Sequence, residues 1–568
     1  MPHLQPIPSH QNKLATNISE ALRLVPGVHV GRVSGSHYAI SIRSANTLLS
    51  DQILVMIDGR EVFNRLFNGT YWDSIDTMLE DIDRIEVIRG PGGSLWGSNA
   101  GNGIINIVTK KATQTIGTSI VLEAGSGQDH ARVSGRIGFG DEHSATRLYA
   151  IGKDIDQSTS SVTQQTTYDA LHFQQAGFRH DSHLSNNSDL SIHGDAYKGD
   201  SELAKASPED VQLSGGNLFA LYKPDDTIRL QAYYDYTSRK RETTSSTYRN
   251  FDLDYQQMVT LANHFLLFGG GTRYTMNDYS HSGTAFTIAV NPEKRNDNLY
   301  RAFIQDEIKW DNFSITPGIK YEFNDYVASQ WQPSLKIALS PSENQTIWLS
   351  ASRSVATPSR IESDGYLDMN SFSGMCSMLG GTTDPSLGCI RSIAANPLKP
   401  TIQNVYEAGY RIHPHKSLFA DIATFYNNYQ TTSANSVDMI YGAELNVVYQ
   451  LDENLKTEVS YTHTSGETNV KNNLLNLHEH MVSTQINYNP SSKLQTDAYY
   501  YYYSHTQSTD AVHRVDLHIG YQYSSTLLLE LIGQNLFNGD HIEANQDPSI
   551  TLNTNIKQSF LAKATLSF

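Results

Sequence analysis

Downstream of residue 400 the chain alternates. Tyr406, Ala408, Tyr410 and Ile412 interleave with Glu407, Gly409, Arg411 and His413, a period of two that in a strand gives one apolar and one polar face. Ala443, Leu445, Val447 and Tyr449 oppose Gly442, Glu444, Asn446 and Gln450 in the same way. After Asp452-Glu453-Asn454, residues Leu455, Thr457, Val459 and Tyr461 oppose Lys456, Glu458, Ser460 and Thr462. Two such segments around a short turn make a hairpin. Val515, Leu517, Ile519, Tyr521 and Tyr523 against Arg514, Asp516, His518, Gly520 and Gln522 repeat the pattern. Each run lasts about ten residues, the length a strand needs to cross a bilayer at a tilt. A soluble sandwich also alternates, but here the polar face is densely charged, as the wall of a water-filled or plugged lumen would be. Connections are short on one side (414–417, 452–454, 524–525) and long on the other (361–402), the asymmetry of an outer-membrane barrel. The last segment sets Phe560, Ala562, Ala564, Leu566 and Phe568 against Ser559, Lys563, Thr565 and Ser567. Pairing this segment with an early strand would close the sheet and leave no free edge.

The first hundred residues have another texture. Asn17 and Glu20 form a capping pair ahead of Ile18, Ala21, Leu22 and Val25, spaced i, i+3, i+4 and i+7, and Pro26-Gly27 ends the pattern, which predicts one short amphipathic helix. The apolar run Ile53–Ile57 stops at Asp58-Gly59, a buried strand entering a tight turn toward Glu61-Val62. Residues 85–88 and 104–108 are further apolar runs. The expectation is a small mixed α/β unit over 1–114 followed by a membrane all-β barrel over 115–568.

Composition supports this division. Hydrophobic residues are 39% of the 568 and no run approaches the roughly 18 apolar residues of a membrane helix, which excludes a helical membrane protein. The 32 Tyr and 39 Gly suit pleated strands with aromatic girdles. A net charge of -17 argues against nucleic acid, whose binders need a basic surface. Cys376 and Cys389 share one Gly/Ser-rich segment and are either a loop-closing disulfide or two free thiols. The 21 His are scattered without ligand spacing, so neither a metal site nor a cofactor is expected. With no nucleophile elbow, zinc motif or paired acid in context, the chain does not read as an enzyme. Residues 1–14 are polar and hold three prolines, so no signal peptide is visible there, although an exported barrel needs one.

Residues 82–111, IDRIEVIRGPGGSLWGSNAGNGIINIVTKK, resemble the end of the plug domain of TonB-dependent outer-membrane receptors. NISEALRLVPGV, ISIRS and ILVMIDGREVF occur in that family's order, and NPLKPTIQNVYEAGYR, GQNLFN and the terminal Phe568 resemble its barrel landmarks. Ser44 replaces the Gly that usually follows the first plug arginine. The glycines from Gly90 to Gly103 alone would carry little, and a phosphate cradle is excluded because no Gly-Lys-Ser/Thr follows.

The resemblance implies a 22-stranded antiparallel transmembrane barrel with the small α/β plug in its lumen, set as a monomer in outer-membrane lipid of a Gram-negative bacterium. It implies energised uptake of a scarce nutrient through the periplasmic protein TonB, whose box is not evident in the short segment before Asn17. The expected cargo is a ferric siderophore or other iron complex. Cobalamin, haem or another substrate, and an N-terminally truncated receptor that binds ligand without transport, stay open as alternatives; a passive porin needs no such plug. Arg43 and Arg89 fall where the family places plug arginines, and with the inward Glu407 and Glu444 they are expected to lock plug to barrel. Ligand contacts are expected from plug segments 45–51 and 64–72, where Asn46, Arg65, Phe67, Asn68, Tyr71 and Trp72 suit an anionic, partly aromatic metal chelate. Cys376 and Cys389 fall in the long loop before NPLKP, as a bridged extracellular loop would place them.

Overall fold

The computed structural model describes residues 4–8, 14–46, 48, 52–127, 129–184, 187–201, 204, 210–282, 287–378, 381–385, 387–393, 398–431, 436–469, 475–544 and 551–568. Segment 45–51, expected to meet ligand, is therefore described only at Ala45, Asn46 and Leu48, and Asn396 lies outside the described residues.

Near the N-terminus a short strand β1 (Leu4–Pro8) precedes helix α1 (Ile18–Leu22). The Asn17 side chain accepts from the Glu20 backbone N–H at 3.0 Å, one of the orphan donors at a helix start. The helix stops three residues short of the apolar pattern. Leu24 N–H and Val25 N–H bond back only three residues, to Ala21 and Leu22, because Pro26 disfavours the helical region for the residue before it and the chain reverses at Gly27 (φ +75°). Leu24 and Val25 stay buried nonetheless, so the predicted stripe is right and only its backbone tightens.

Strands β2 (Val28–Arg32) and β3 (Tyr38–Ile42) form a hairpin. The apolar run becomes β4 (Ile53–Ile57), which turns through Asp58-Gly59 into the short β5 (Arg60–Glu61). After the small pair β6 (Phe63–Asn64) and β7 (Gly69–Thr70) come β8 (Ile82–Arg89), a one-turn helix α2 (Gly93–Trp96) and β9 (Gly103–Thr109). The plug sheet has the order β1-β8-β9-β4-β5, with β4 and β9 parallel.

From Gly117 onward, the described residues form a closed barrel of 22 strands, each antiparallel to its neighbours in sequence. The final strand Ser559–Ser567 pairs with the first, Gly117–Gly125, from Ser119↔Ser567 to Gly125↔Leu561. The period-two reading holds face by face. Tyr406 is 55% and Ile519 50% exposed on the outside, while Glu407, Glu444 and Arg514 are buried on the inside. One rim carries brief turns such as 311–312 and 416–417; the other carries 156–170, 357–400 and 535–558.

The core does not stop at the plug's edge. The cluster around Ile18, Leu22, Ile40, Val55 and Ile85 continues into wall residues Tyr499, Tyr501, Tyr503, Val512 and Ile532. One flank of the plug is thus seated in part by apolar burial.

Candidate functional site: the seat of the plug

Arg43, at a left-handed turn (φ +52°) just after β3, reaches the wall with its whole guanidinium. Nε and Nη2 donate to Glu444 at 2.8 and 2.7 Å, and Nη1 donates to Glu407 at 2.6 Å. Arg89, at the end of β8, lies 3.0 Å from Glu444, and Ser350 donates to Glu407 at 2.7 Å. Arg43 also stacks over Phe425, 4.3 Å from its centroid. All four charged residues are under a tenth exposed, so these are charge-assisted bonds in low dielectric, where breaking one partner is costly. Gly90 (φ +88°) allows the approach: a Cβ there would sit 2.5 Å from Glu407 Oε1.

A second buried cluster was not anticipated. Arg23 donates to Glu543 at 2.8 Å and to Glu20 at 3.1 Å, and Arg514 of the wall bridges the same two carboxylates at 3.2 and 3.0 Å. Burial alone would raise the Glu20 carboxyl, but Arg23 and Arg514 outweigh it and hold it low. Inward Arg514 was legible from alternation; Glu543, in an irregular loop, carries no periodic signal.

The plug's acidic residues, also unassigned from sequence, meet a row of cations. Asp58 lies 3.1 Å from Arg179, Glu61 2.5 Å from Arg273, Asp76 3.0 Å from Arg132 and 2.8 Å from Lys153, and Asp81 3.0 Å from Arg136 and 3.4 Å from Arg147. Arg239 grips Asp73 through both terminal nitrogens and stacks over Tyr71 at 3.5 Å. Burial raises the Asp73 carboxyl, yet Arg239 and His37 prevail and bring it down to about 2.

The expected ligand residues are placed as follows. Asn46, Arg65 and Asn68 are buried; Phe67, Tyr71 and Trp72 are half-buried. The Asn46 amide nitrogen bonds His29 Nδ1 and the Asn68 amide donates to the Thr357 carbonyl, both at 2.5 Å, while Trp72 packs on the plug core. The long loop of the wall covers segment 64–72. Its helix α3 (Arg360–Asp364) donates from Arg360 N–H to Arg65 O (2.9 Å) and from Ile361 N–H to Leu66 O (3.1 Å). Beyond α3, Thr287–Val290, Gly365–Asp368, Gly388–Ser392 and Thr382–Asp384 form a four-stranded cap, in which Cys376 and Cys389 are joined by a disulfide. Two scattered histidines, His29 and His478, meet with ring centroids 4.3 Å apart. Burial, His478 and Arg23 keep His29 well below the usual imidazole range. Among the described residues no group of three or more His, Cys, Asp or Glu could hold a metal ion.

Comparison with known proteins agrees with this architecture. The family model described as TonB dependent receptor-like, beta-barrel matches residues 119–536, and that described as TonB-dependent Receptor Plug Domain matches 9–104. The chain is 36% identical over 114 residues to the vitamin B12 transporter BtuB of Vibrio vulnificus, covering 20% of this chain and 18% of the relative. It is 25% identical over 431 residues to the probable TonB-dependent siderophore receptor PirA of Acinetobacter baumannii, covering 62% and 56%. These alignments thus span about half or less of the curated relatives' length. Among solved structures, the siderophore receptor PirA from Acinetobacter baumannii superposes with a TM-score of 0.79 at 15% identity, over 100% of this chain and 98% of that one. The ferric enterobactin receptor PfeA of Pseudomonas aeruginosa, solved in complex with BCV-L6, gives 0.79 at 16% identity, over 100% of both chains. With a plug inside a closed barrel, and a family model matched along most of its length, the chain belongs to the TonB-dependent receptors.

Proposed function

We propose that this chain is a monomeric receptor of the Gram-negative outer membrane that takes up a ferric siderophore or another iron complex, driven by TonB. The observation that carries the reading is a wide 22-stranded cylinder whose lumen is filled by a plug held through buried charge pairs. Such a lumen is too broad to select by diffusion, so work has to be done on the plug, and the outer membrane has no nucleotide supply of its own. In this reading residues 1–114 form the plug and 115–568 the barrel. Arg43, Arg89, Glu407 and Glu444 form the lock between them, and Asn46, Arg65, Phe67, Asn68, Tyr71 and Trp72 lie where cargo meets the plug once the cap over 64–72 lifts. The siderophore receptors among its relatives support the choice of cargo. The chain carries out no chemistry on its cargo.

The test is uptake of radiolabelled iron, supplied as ferric catecholate and ferric hydroxamate chelates, by cells lacking their own receptors and expressing this one. Uptake that requires TonB supports the reading; none with any chelate overturns it. Cobalamin is the second reading, favoured by the vitamin B12 transporters among the relatives, and labelled cyanocobalamin in the same cells decides between them.

A further inference from the structure

Charge at the plug-wall seam is sorted by sign. Between strands Asp129–Gly140 and His264–His281 the wall meets the plug mainly with cations, on Asp58, Glu61, Asp73, Asp76 and Asp81. Across the lumen, strands Thr401–His415 and Ser436–Gln450 meet plug arginines with Glu407 and Glu444. Among the contacts that run against the pattern are Arg60 on Asp235, Lys111 on Asp189 at 4.0 Å and Glu20 on Arg514. The wall's own acids on the basic side are largely held by the wall: Asp181 by Arg179, and Asp252 by Arg273 and Arg301. Asp235 and Asp195 face Arg60 of the plug.

The cations also extend along the whole height of the wall. Arg147 lies three residues inside the short-turn end of strand Ser144–Ile155, Lys153 lies two residues from its other end, and Arg239 is one residue from the long-loop end of Ile228–Lys240. On the same side a cavity of about 50 Å³ separates plug from wall between Arg60, Tyr71, Asp76, Asp195 and Asp235, so the seam there has room for water. When the plug segment from Asp58 to Asp81 moves away, six carboxylates leave with two arginines, Arg60 and Arg65, a net gain of four positive charges in the lumen. Rings or rows of one charge in a low-dielectric wall set the ion preference of a pore.

We propose that the acidic plug segment masks an anion track: its departure uncovers guanidinium groups from one rim to the other, and a multiply anionic cargo passes along that side. Naming the cargo as an anionic chelate rests on the uptake reading above, but the preference of the wall is measurable with potassium chloride alone. The full chain is placed in planar bilayers under a salt gradient in three forms. D58N/D76N, which frees the strip, is expected to open channels whose reversal potential lies toward chloride. R43Q/R89Q, which frees the acidic side, is expected to open without chloride preference. D58N/D76N/R132Q/R179Q is expected to conduct with the chloride preference lost. Wild-type chain under urea that unseats the plug but spares the barrel gives the same sign as D58N/D76N, a readout that needs no variant to fold. Channels of the strip variant that prefer potassium, show no preference or stay closed overturn the proposal. Chloride preference without uptake of any ferric chelate would remove the uptake reading and keep the track; uptake without chloride preference would do the reverse.

Discussion

Replacing Arg43 with Met tests whether the four-residue lock carries energy. The substitution preserves length and burial but removes three donated bonds, two to Glu444 and one to Glu407. Glu444 keeps Arg89 and Glu407 keeps Ser350, so neither carboxylate is stranded, yet both lose their main counter-charge in a site closed to water. Removing one partner of a buried ion pair costs about 3–5 kcal/mol, or roughly two to three and a half powers of ten in the plug's opening equilibrium. Hydrogen exchange read by mass spectrometry on peptides from β3, β8 and β9 reports that equilibrium directly. R43M should lose protection there by that factor, with barrel strands unchanged. The quadruple variant R43M/R89M/E407Q/E444Q should recover much of the loss, because with Arg89 removed as well the site holds no unpaired charge. Protection in R43M within about threefold of wild type, well below the loss expected for a buried pair, would refute the argument. So would a quadruple variant worse than R43M.

Other outcomes follow from the same geometry. Asp73 is held at about 2 against an ordinary 3.8; its pairing therefore contributes fully above about pH 4 and is lost as pH falls through 2, about 2 kcal/mol in all. Acid titration of plug seating should show that step in wild type and lack it in D73N; an unchanged profile in D73N contradicts the assignment. At Gly90, G90A places a Cβ against Glu407 at a φ of +88°, a left-handed conformation costing about 1–2 kcal/mol, so β8 and β9 should exchange roughly tenfold faster. Equal rates would mean the loop yields freely. Cys376 and Cys389 close a loop of sequence separation 13, for which the chain-entropy estimate is about 3 kcal/mol. C376S/C389S should render residues 366–392 protease-sensitive while plug exchange stays as in wild type; plug exchange that rises too would show that the cap also clamps the plug.

Much of the wall was legible because a membrane strand with a charged lumen face writes its orientation into every second residue: Glu407, Glu444 and Arg514 could be placed inward before any coordinates. The strand Ile53–Ile57 and its Asp58-Gly59 turn were legible for a different local reason, an unbroken apolar run stopped by a turn pair. Helix α1 was overextended because its apolar spacing continues through Val25, while Pro26 and the Gly27 reversal end the regular helix three residues earlier, at Leu22. What could not be read was pairing across the seam. That Asp76 meets Arg132, or Glu543 meets Arg23, depends on how a plug of one sequence region is rotated inside a wall of another, and no periodicity encodes that rotation. The acidity of 58–83 and the inward cations of the early strands were both present in the sequence, and only their juxtaposition was missing. The cap was hidden too, since strands as short as Thr382–Asp384 leave no pattern.

The bonding of Gly117–Gly125 to Ser559–Ser567 has a bearing on biogenesis. No cylinder exists until residues more than four hundred positions apart have met, so loop-closure entropy postpones the seam to the end of assembly. Until then both terminal strands offer raw edges to any passing polypeptide. A nascent molecule of this kind depends on being shielded during its passage to the bilayer, and the plug, synthesised first, has to wait unhoused for walls that arrive last.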